Sequence, residues 1–330
     1  MSHFAVSDST LSANELGIFL KQRFALPENT TCKLLKTGIN HTYLVDAGHQ
    51  KFIYRVYSYQ WRTEMEILEE IRLLEELKAH DIPVSYALKD AEGQYIQILD
   101  APEGQRSGVM FSYAAGEKLL NFPKELHEKI GEIMAQMHKI THDLSLKRVN
   151  YGTETLLSEP LKYISQFLSA EADEMGFLLS TREVLLKHIR EANTDEIRKG
   201  IIHTDIWCDN LNILNNEEVT LFDFDFCGNG WLVQDVAYYI LQIKSTEKVN
   251  EEYEEKKAWF LKGYESVTLL TETEKSLIPT LAMSCYYFYL GIQCRRYDNW
   301  SNVFLNENYL KRFISILLKG WFDYNEMDKK

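Results

Sequence analysis

Residues 201–225 read IIHTDIWCDNLNILNNEEVTLFDFD, and residues 201–250 carry 8 acidic and 2 basic side chains, a net of −6 out of the chain's −13. Carboxylates at this density repel one another and cost stability unless a cation or a positive partner meets them. Asp205 and Asn210 fall in a loop ahead of two apolar runs, 211–214 and 219–222, which flank Asn215-Asn216-Glu217-Glu218 and read as a hairpin. Asp223 follows the second run. Two of these three side chains can converge on one divalent ion while the third faces an acceptor, and phosphoryl transfer needs that arrangement. Magnesium takes oxygen ligands, typically one or two carboxylates with phosphate oxygens and water. Asn210 and Asp223 would supply protein oxygens, and Asp205 would orient an acceptor hydroxyl and take its proton. His203, two residues before Asp205, would support the loop from behind. The bland alternative is a buried polar loop without chemistry.

The elements that must hold this loop follow from periodicity. Residues 34–45 and 51–57 read as strands around a turn at 46–48, with Phe52, Tyr54 and Val56 opposite Ile53, Arg55 and Tyr57. Thr63 and Glu66 form a capping box that opens a helix, Ile67, Leu68, Ile71, Leu74 and Leu77 recur at helical spacing, and Asp81-Ile82-Pro83 ends it. Two more strands are expected at 95–100 and 108–111, with a turn-rich stretch between them. After Gly116 the pattern turns helical, at 126–140, 156–199 and 250–325, interrupted by the short Asp- and Asn-rich region 200–235. The expected fold class is α+β: a small strand-rich lobe with one helix (1–111), a hinge (112–116) and a large helical lobe (117–330).

Composition removes several function classes. The 330 residues are 45% apolar and 26% charged with 16 Gly and 6 Pro, which is neither a disordered nor a fibrous chain. Lys+Arg 36 against Asp+Glu 49 leaves no basic surface for nucleic acid, and an acidic balance suits a cationic substrate. Cys32, Cys208, Cys227, Cys285 and Cys294 are scattered and hold no Cys-x-x-Cys pair, against a disulfide framework or structural zinc site. The N-terminal stretch lacks the basic start and apolar core of a signal peptide. No charge occurs over residues 276–294, but Pro279, Thr280, Ser284, Tyr286, Tyr287 and Tyr289 read as a buried helix and not a membrane span. The expectation is a cytoplasmic protein with no membrane partner.

The pattern His203-x-Asp205-x₄-Asn210-x₁₂-Asp223 resembles the catalytic and metal-binding motifs of the aminoglycoside phosphotransferase-like kinase superfamily. That group includes choline kinases, kinase-like bacterial homoserine kinases and stress-response protein kinases. The resemblance, which spans roughly residues 30–240, implies a protein-kinase-like two-lobed fold with ATP and Mg²⁺ as cofactors. It also implies a phosphate-covering loop, a cation on the next strand and a helix carboxylate to hold that cation. Gly38, Asn40 and Thr42 in Thr37-Gly38-Ile39-Asn40-His41-Thr42 match the loop. Arg55 in KFIYRVY falls where the family has a lysine, and Glu70 falls where its partner would be, with Glu69 as the competing register. Arginine there is a departure that resembles the V-L-R-I-Y strand of the homoserine-kinase-like and stress-kinase branches, as does YSYQWRTEMEILEE. Thr204 replaces a usual Gly, and Cys208-Asp209 replace Pro-Gly. Residues 108–116 match the linker, where backbone groups of Phe111, Ser112 and Tyr113 would receive an adenine edge. Asp225 either assists the metal or stabilises the loop, and Asp235 is read as a helix N-cap or a loop anchor.

The implied activity is ATP-dependent transfer of the γ-phosphate to a hydroxyl of a small molecule: homoserine, an amino alcohol, a sugar or an aminoglycoside. The alternatives are a protein Ser/Thr kinase of the stress-response type, and a nucleotide-binding protein without turnover, to which Arg55, Thr204 and Asp209 point. The aromatic side chains Trp231, Tyr238, Tyr239, Trp259, Tyr286, Tyr287, Tyr289, Tyr297 and Trp300 read first as core. Arg295 or Arg296, beside Asp298, would favour an acceptor bearing a carboxylate or phosphate if it faced the site; a site lined by carboxylates would favour an amine.

Overall fold

Alternating burial builds the sheet of the first unit. The computed structural model describes residues 4–297 and 304–329, so Asp298 and Trp300 lie outside the described residues. The chain divides into two units, Met1–Ala114 with Arg296–Asn302, and Ala115–Arg295 with Val303–Lys330. In the first, α1 (Ala13–Arg23) precedes β1 (Thr31–Lys36), β2 (His41–Asp46) and β3 (Lys51–Val56). These are followed by α2 (Glu64–Ala79), β4 (Ala87–Leu88), β5 (Ile96–Ala101) and β6 (Gly104–Ser112). The antiparallel sheet runs β1-β2-β3-β6-β4, with β5 paired to β6 as a hairpin. Tyr43, Val45, Phe52, Tyr54 and Val56 form its buried face against Leu16 and Leu20 of α1.

Three expectations change here. The run 34–45 is two strands, because the polar turn Thr37–Asn40 lets β1 fold back on β2 with Lys36 opposite Thr42. Among the described residues the unit has two helices where one was expected: Ser12 accepts the Glu15 N–H and starts α1, a short-range cap signal that periodicity alone passes over. The stretch between β5 and β6 is a tight turn with Ala101 opposite Gly104, so β6 is longer than expected and β5 is shifted by one residue. The capping box of α2 is present, with Thr63 and Glu66 bonded both ways.

The second unit contains α3 (Lys124–Thr141), α4 (Glu159–Ile164) and α5 (Asp173–Glu191), then β7 (Lys199–Ile202), β8 (Leu211–Leu214), β9 (Glu218–Leu221) and β10 (Gly228–Trp231). It closes with α6 (Val233–Thr246), α7 (Asn250–Val267), α8 (Glu272–Arg295), α9 (Glu307–Phe313) and α10 (Lys319–Tyr324). β7 pairs with β10, and β8 with β9, antiparallel. The expected hairpin is there, turned by Asn215 and Asn216 at φ 55° and 57°, a left-handed conformation that Asn tolerates. The 250–325 pattern breaks before α8, where Thr271 and Glu274 make a second capping box. α6 begins two residues before Asp235, where the resemblance put a helix start that periodicity did not mark. The uncharged stretch 276–294 lies within α8 and is mostly buried, and among the described residues no helix is long and apolar enough to cross a membrane.

α3 and α7 touch backbone to backbone. A Cβ at Gly263 would collide with the Glu128 carbonyl, and one at Gly131 with the Phe260 carbonyl. Gly263→Ala should therefore overpack this crossing and cost about 1–3 kcal/mol, read as a lowered Tm by differential scanning calorimetry.

His127 on α3 is buried at 5% exposure, with Nδ1 against the Tyr239 hydroxyl at 3.0 Å. Burial, with a smaller contribution from Lys256, pushes its pKa from 6.5 down to about 4. The neutral ring is favoured in the fold, so its stabilisation is full above pH 6.5 and is lost as pH falls toward 4, by up to about 3 kcal/mol. Urea unfolding should show this decline, and His127→Asn should make it shallower.

Candidate active site

β7 delivers the chain into the loop 203–210, and β10 carries it away beyond Asp223. Thr204 and Asp223 both sit in the left-handed region, at φ 66° and 65°, which is costly for a β-branched residue such as Thr204. The usual Gly at this position in the resembling family has a physical reason here. Thr204 is held nonetheless. Its N–H donates to Asp235 Oδ1 at 2.6 Å, and the His203 N–H donates to Asp235 Oδ2 at 2.8 Å. Asp235 Oδ2 also meets Nε2 of His138 on α3 at 3.1 Å, while His138 Nδ1 meets the Tyr264 hydroxyl of α7 at 2.8 Å. Asp235 is the third residue of α6 and makes no cap; of the two roles considered, it is the loop anchor. The Thr204 hydroxyl shares its one proton between the His203 carbonyl at 2.7 Å and the Phe226 carbonyl at 3.2 Å, and Tyr289 of α8 donates to Thr204 O at 3.0 Å.

His203 Nε2 faces the Phe222 carbonyl at 3.2 Å and Nδ1 faces the Asp205 N–H at 3.2 Å. A carbonyl can only accept, so Nε2 carries the proton and Nδ1 is the acceptor. Burial keeps this ring neutral by lowering its pKa.

Asp205 is gripped through both oxygens. Oδ1 accepts from the Tyr238 hydroxyl at 2.8 Å, and Oδ2 accepts from Asn210 Nδ2 at 2.7 Å. The same Asn210 nitrogen donates to the Asp205 carbonyl at 2.9 Å. Burial above all, then the Asp223 charge, raises the Asp205 pKa to about 7, against hydrogen bonds from Tyr238, Tyr289 and Asn210 that pull it down. Asp223 thus lies close enough for its charge to act on both Asp205 and His203. With its nitrogen committed to Asp205, Asn210 turns its amide oxygen the other way. Among the described residues no group of three or more His, Cys, Asp or Glu could hold a metal by itself. One amide oxygen and one carboxylate fit a hard cation that completes its shell with phosphate and water. Asp225 is buried and its carbonyl accepts from Arg148. Asp209 pairs with Lys118 at 2.8 Å.

In the first unit, Arg55 Nη1 donates to Glu70 Oε1 at 2.7 Å, and the Tyr57 hydroxyl donates to Glu70 Oε2 at 3.1 Å. The guanidinium lies 4.7 Å from the Phe111 ring centroid. Glu69 instead pairs with Arg72, so the register is Glu70. Gly38 has no left-handed φ and a Cβ there would meet nothing closer than 3.9 Å, so its backbone does not require glycine. Asn40 Oδ1 accepts the Ser58 N–H at 3.2 Å, and Thr42 pairs with Arg55 across β2 and β3. Phe111 lies in β6 between β3 and β4. Ser112 donates its N–H to Tyr86 O at 2.8 Å and accepts the Ser85 hydroxyl on its carbonyl at 2.6 Å. Both polar backbone groups of Ser112, one of the three residues expected to face an adenine, are thus engaged within the unit. Tyr113 follows the strand with its ring 38% exposed. Arg296 stacks over Trp61 and approaches the Ile39 carbonyl at 3.5 Å, while Arg295 lies 3.8 Å from Glu159.

Sequence reasoning missed Tyr238, Tyr289 and His138, which it took as core or did not consider. The one available signal is spacing: Asp235 and Tyr238 are three apart on α6 and so share a face.

Comparison with known proteins follows this geometry. The profile of the phosphotransferase enzyme family matches residues 31–270. A homoserine kinase of Brucella anthropi is 28% identical over 291 residues, 88% of this chain and 85% of that protein. A microcompartment-associated aminopropanol kinase shares the fold with a TM-score of 0.74 at 21% identity, covering 93% of this chain and 94% of that one. The amicoumacin kinase hAmiN, solved with AMP-PNP and Ca²⁺, gives 0.75 at 19% identity, covering 94% and 93%. These neighbours have the two-lobed protein-kinase-like architecture expected above.

Replacing Asp235 by Asn puts an N–H donor where two backbone donors and His138 converge. We expect a loss of roughly 1.5–3 kcal/mol in urea unfolding, together with a fall in turnover as the Asp205 loop shifts.

Proposed function

This chain belongs to the phosphotransferase enzyme family and phosphorylates a hydroxyl group, and from that premise we propose that it passes the γ-phosphate of ATP to a small hydroxylated amine such as homoserine or an amino alcohol. The observation that carries the reading is the Asp205 carboxylate, clamped by Asn210 and Tyr238 within reach of the Asp223 charge. Asp205 is the base. It accepts the acceptor's hydroxyl proton as the oxygen bonds to the γ-phosphorus and the bond to the ADP oxygen breaks. Asn210 and Asp223 would hold Mg²⁺, which when bound neutralises charge on the phosphate oxygens. His203 stays neutral and fixes the Asp205 backbone. In the first unit, Arg55, oriented by Glu70 and Tyr57, is assigned to the nucleotide phosphates, where a guanidinium fork binds two oxygens at once. Gly38, Asn40 and Thr42 are assigned to the turn that covers those phosphates, and Tyr113 to the base.

Two lines support nucleotide, divalent ion and acceptor class. The amicoumacin kinase holds AMP-PNP with Ca²⁺, and the relatives' names, homoserine kinase and aminopropanol kinase, each describe an amine bearing a hydroxyl. The −6 carried by residues 201–250 suits a cationic amine.

Purified protein with ATP and Mg²⁺ should phosphorylate one or more members of a panel of homoserine, ethanolamine, 1-amino-2-propanol and choline, detected by ³¹P NMR, and a chelator should abolish the reaction. Asp205→Asn should lower kcat by about 100-fold or more. Undiminished turnover in that variant, or transfer confined to sugars or to a protein substrate, would overturn the proposal.

A further inference from the structure

A carboxylate that must take a proton from a bound hydroxyl needs its plane fixed, yet the last torsion of Asp is broad and two-fold. Asn210 alone would not fix it. It sits five residues along the same loop and reaches only Oδ2. The second restraint comes from outside the loop: the Tyr238 hydroxyl on Oδ1 at 2.8 Å. Tyr238 lies on α6 three residues after Asp235, whose carboxylate holds the His203 and Thr204 N–H groups. One face of one helix thus sets both the backbone of the loop and the rotation of its key side chain.

The phenol is itself braced. Tyr238 is 5% exposed, and its ring lies 5.5 Å from that of Tyr289. Tyr289 donates to Thr204 O and stacks edge-on against Phe226 at 5.6 Å. Tyr239, the next residue, points to His127 instead. Each carboxylate oxygen has two lone pairs; Tyr238 and Asn210 occupy one on each, and even with Tyr289 close to the carboxylate a lone pair is left to meet an acceptor.

We propose that Tyr238 is a positioning residue for phosphoryl transfer, its hydroxyl holding the Asp205 carboxylate in the one rotation that presents a lone pair to the acceptor. This rests on Asp205 being the base. The residue acts through Asp205, so its removal slows the chemical step and leaves binding of nucleotide and acceptor intact.

The test compares wild type, Tyr238→Phe, Tyr238→4-aminophenylalanine and Asp205→Asn in full-length protein, with homoserine, ethanolamine, 1-amino-2-propanol, choline and water as acceptors of the phosphate of Mg·ATP. Tyr238→Phe should lower kcat about tenfold or more, with both KM values within twofold of wild type, a Tm lower by a few degrees for the lost buried bond, and a protein still folded at the assay temperature. The aminophenylalanine, which restores an N–H donor to the ring, should recover most of the loss. If Tyr238→Phe keeps kcat within twofold while Asp205→Asn is inactive, this inference fails alone. If the aminophenylalanine restores nothing, the ring acts by packing and the inference fails again. If Asp205→Asn stays active, or wild type transfers to no acceptor of the panel, the proposed function fails and this inference fails with it.

Discussion

One buried carboxylate organises the second unit. Asp235 collects the N–H groups of two successive residues, His203 and Thr204, and the imidazole of His138. A buried charge is tolerable only when hydrogen-bonded all round, and here the donors come from two parts of the chain: the loop for two, α3 for the third. The demand runs outward from there. His138 must be oriented, which Tyr264 of α7 does, and Tyr264 reaches it because Gly131 and Gly263 let α3 and α7 approach at backbone distance. The strained φ of Thr204 persists for the same reason, since releasing it would strip two donors from a buried anion.

The first unit meets a related problem by other means. Arg55 and Glu70 are both buried, and the ion pair is completed by the Tyr57 hydroxyl on the carboxylate and the Phe111 ring beside the guanidinium. A flat, weakly hydrated cation can lie on an aromatic face while keeping a nitrogen for its carboxylate; a lysine ammonium has no such face. The arginine at this position is therefore matched to its surroundings and is no loss of function by itself.

What could be read from the residues was what chemistry restricts. Asp205, Asn210 and Asp223 stand out because few side chains offer oxygen ligands or a proton acceptor, and their order along the chain adds to that. The choice between Glu69 and Glu70 was open because neighbouring helical residues differ by 100° in direction, and only packing against Arg55 decides it. Periodicity did not mark α6, although the resemblance put a helix start at Asp235, because ten of its fourteen residues are buried and it has no polar stripe to show its period. Tyr238 and Tyr289 were indistinguishable from core aromatics, since a tyrosine fills space identically whether or not its hydroxyl has work to do. Engagement of the Ser112 backbone by Ser85 and Tyr86, 26–27 residues away, is a tertiary fact with no local signal.

The Thr204 hydroxyl bridges to the Phe226 carbonyl, three residues beyond Asp223. A glycine at 204 would ease the torsion and lose that tie. The bond ties the segment bearing Asp205 to the segment bearing Asp223. At this position a threonine exchanges backbone ease for a link between two arms of the chain that a glycine could not make.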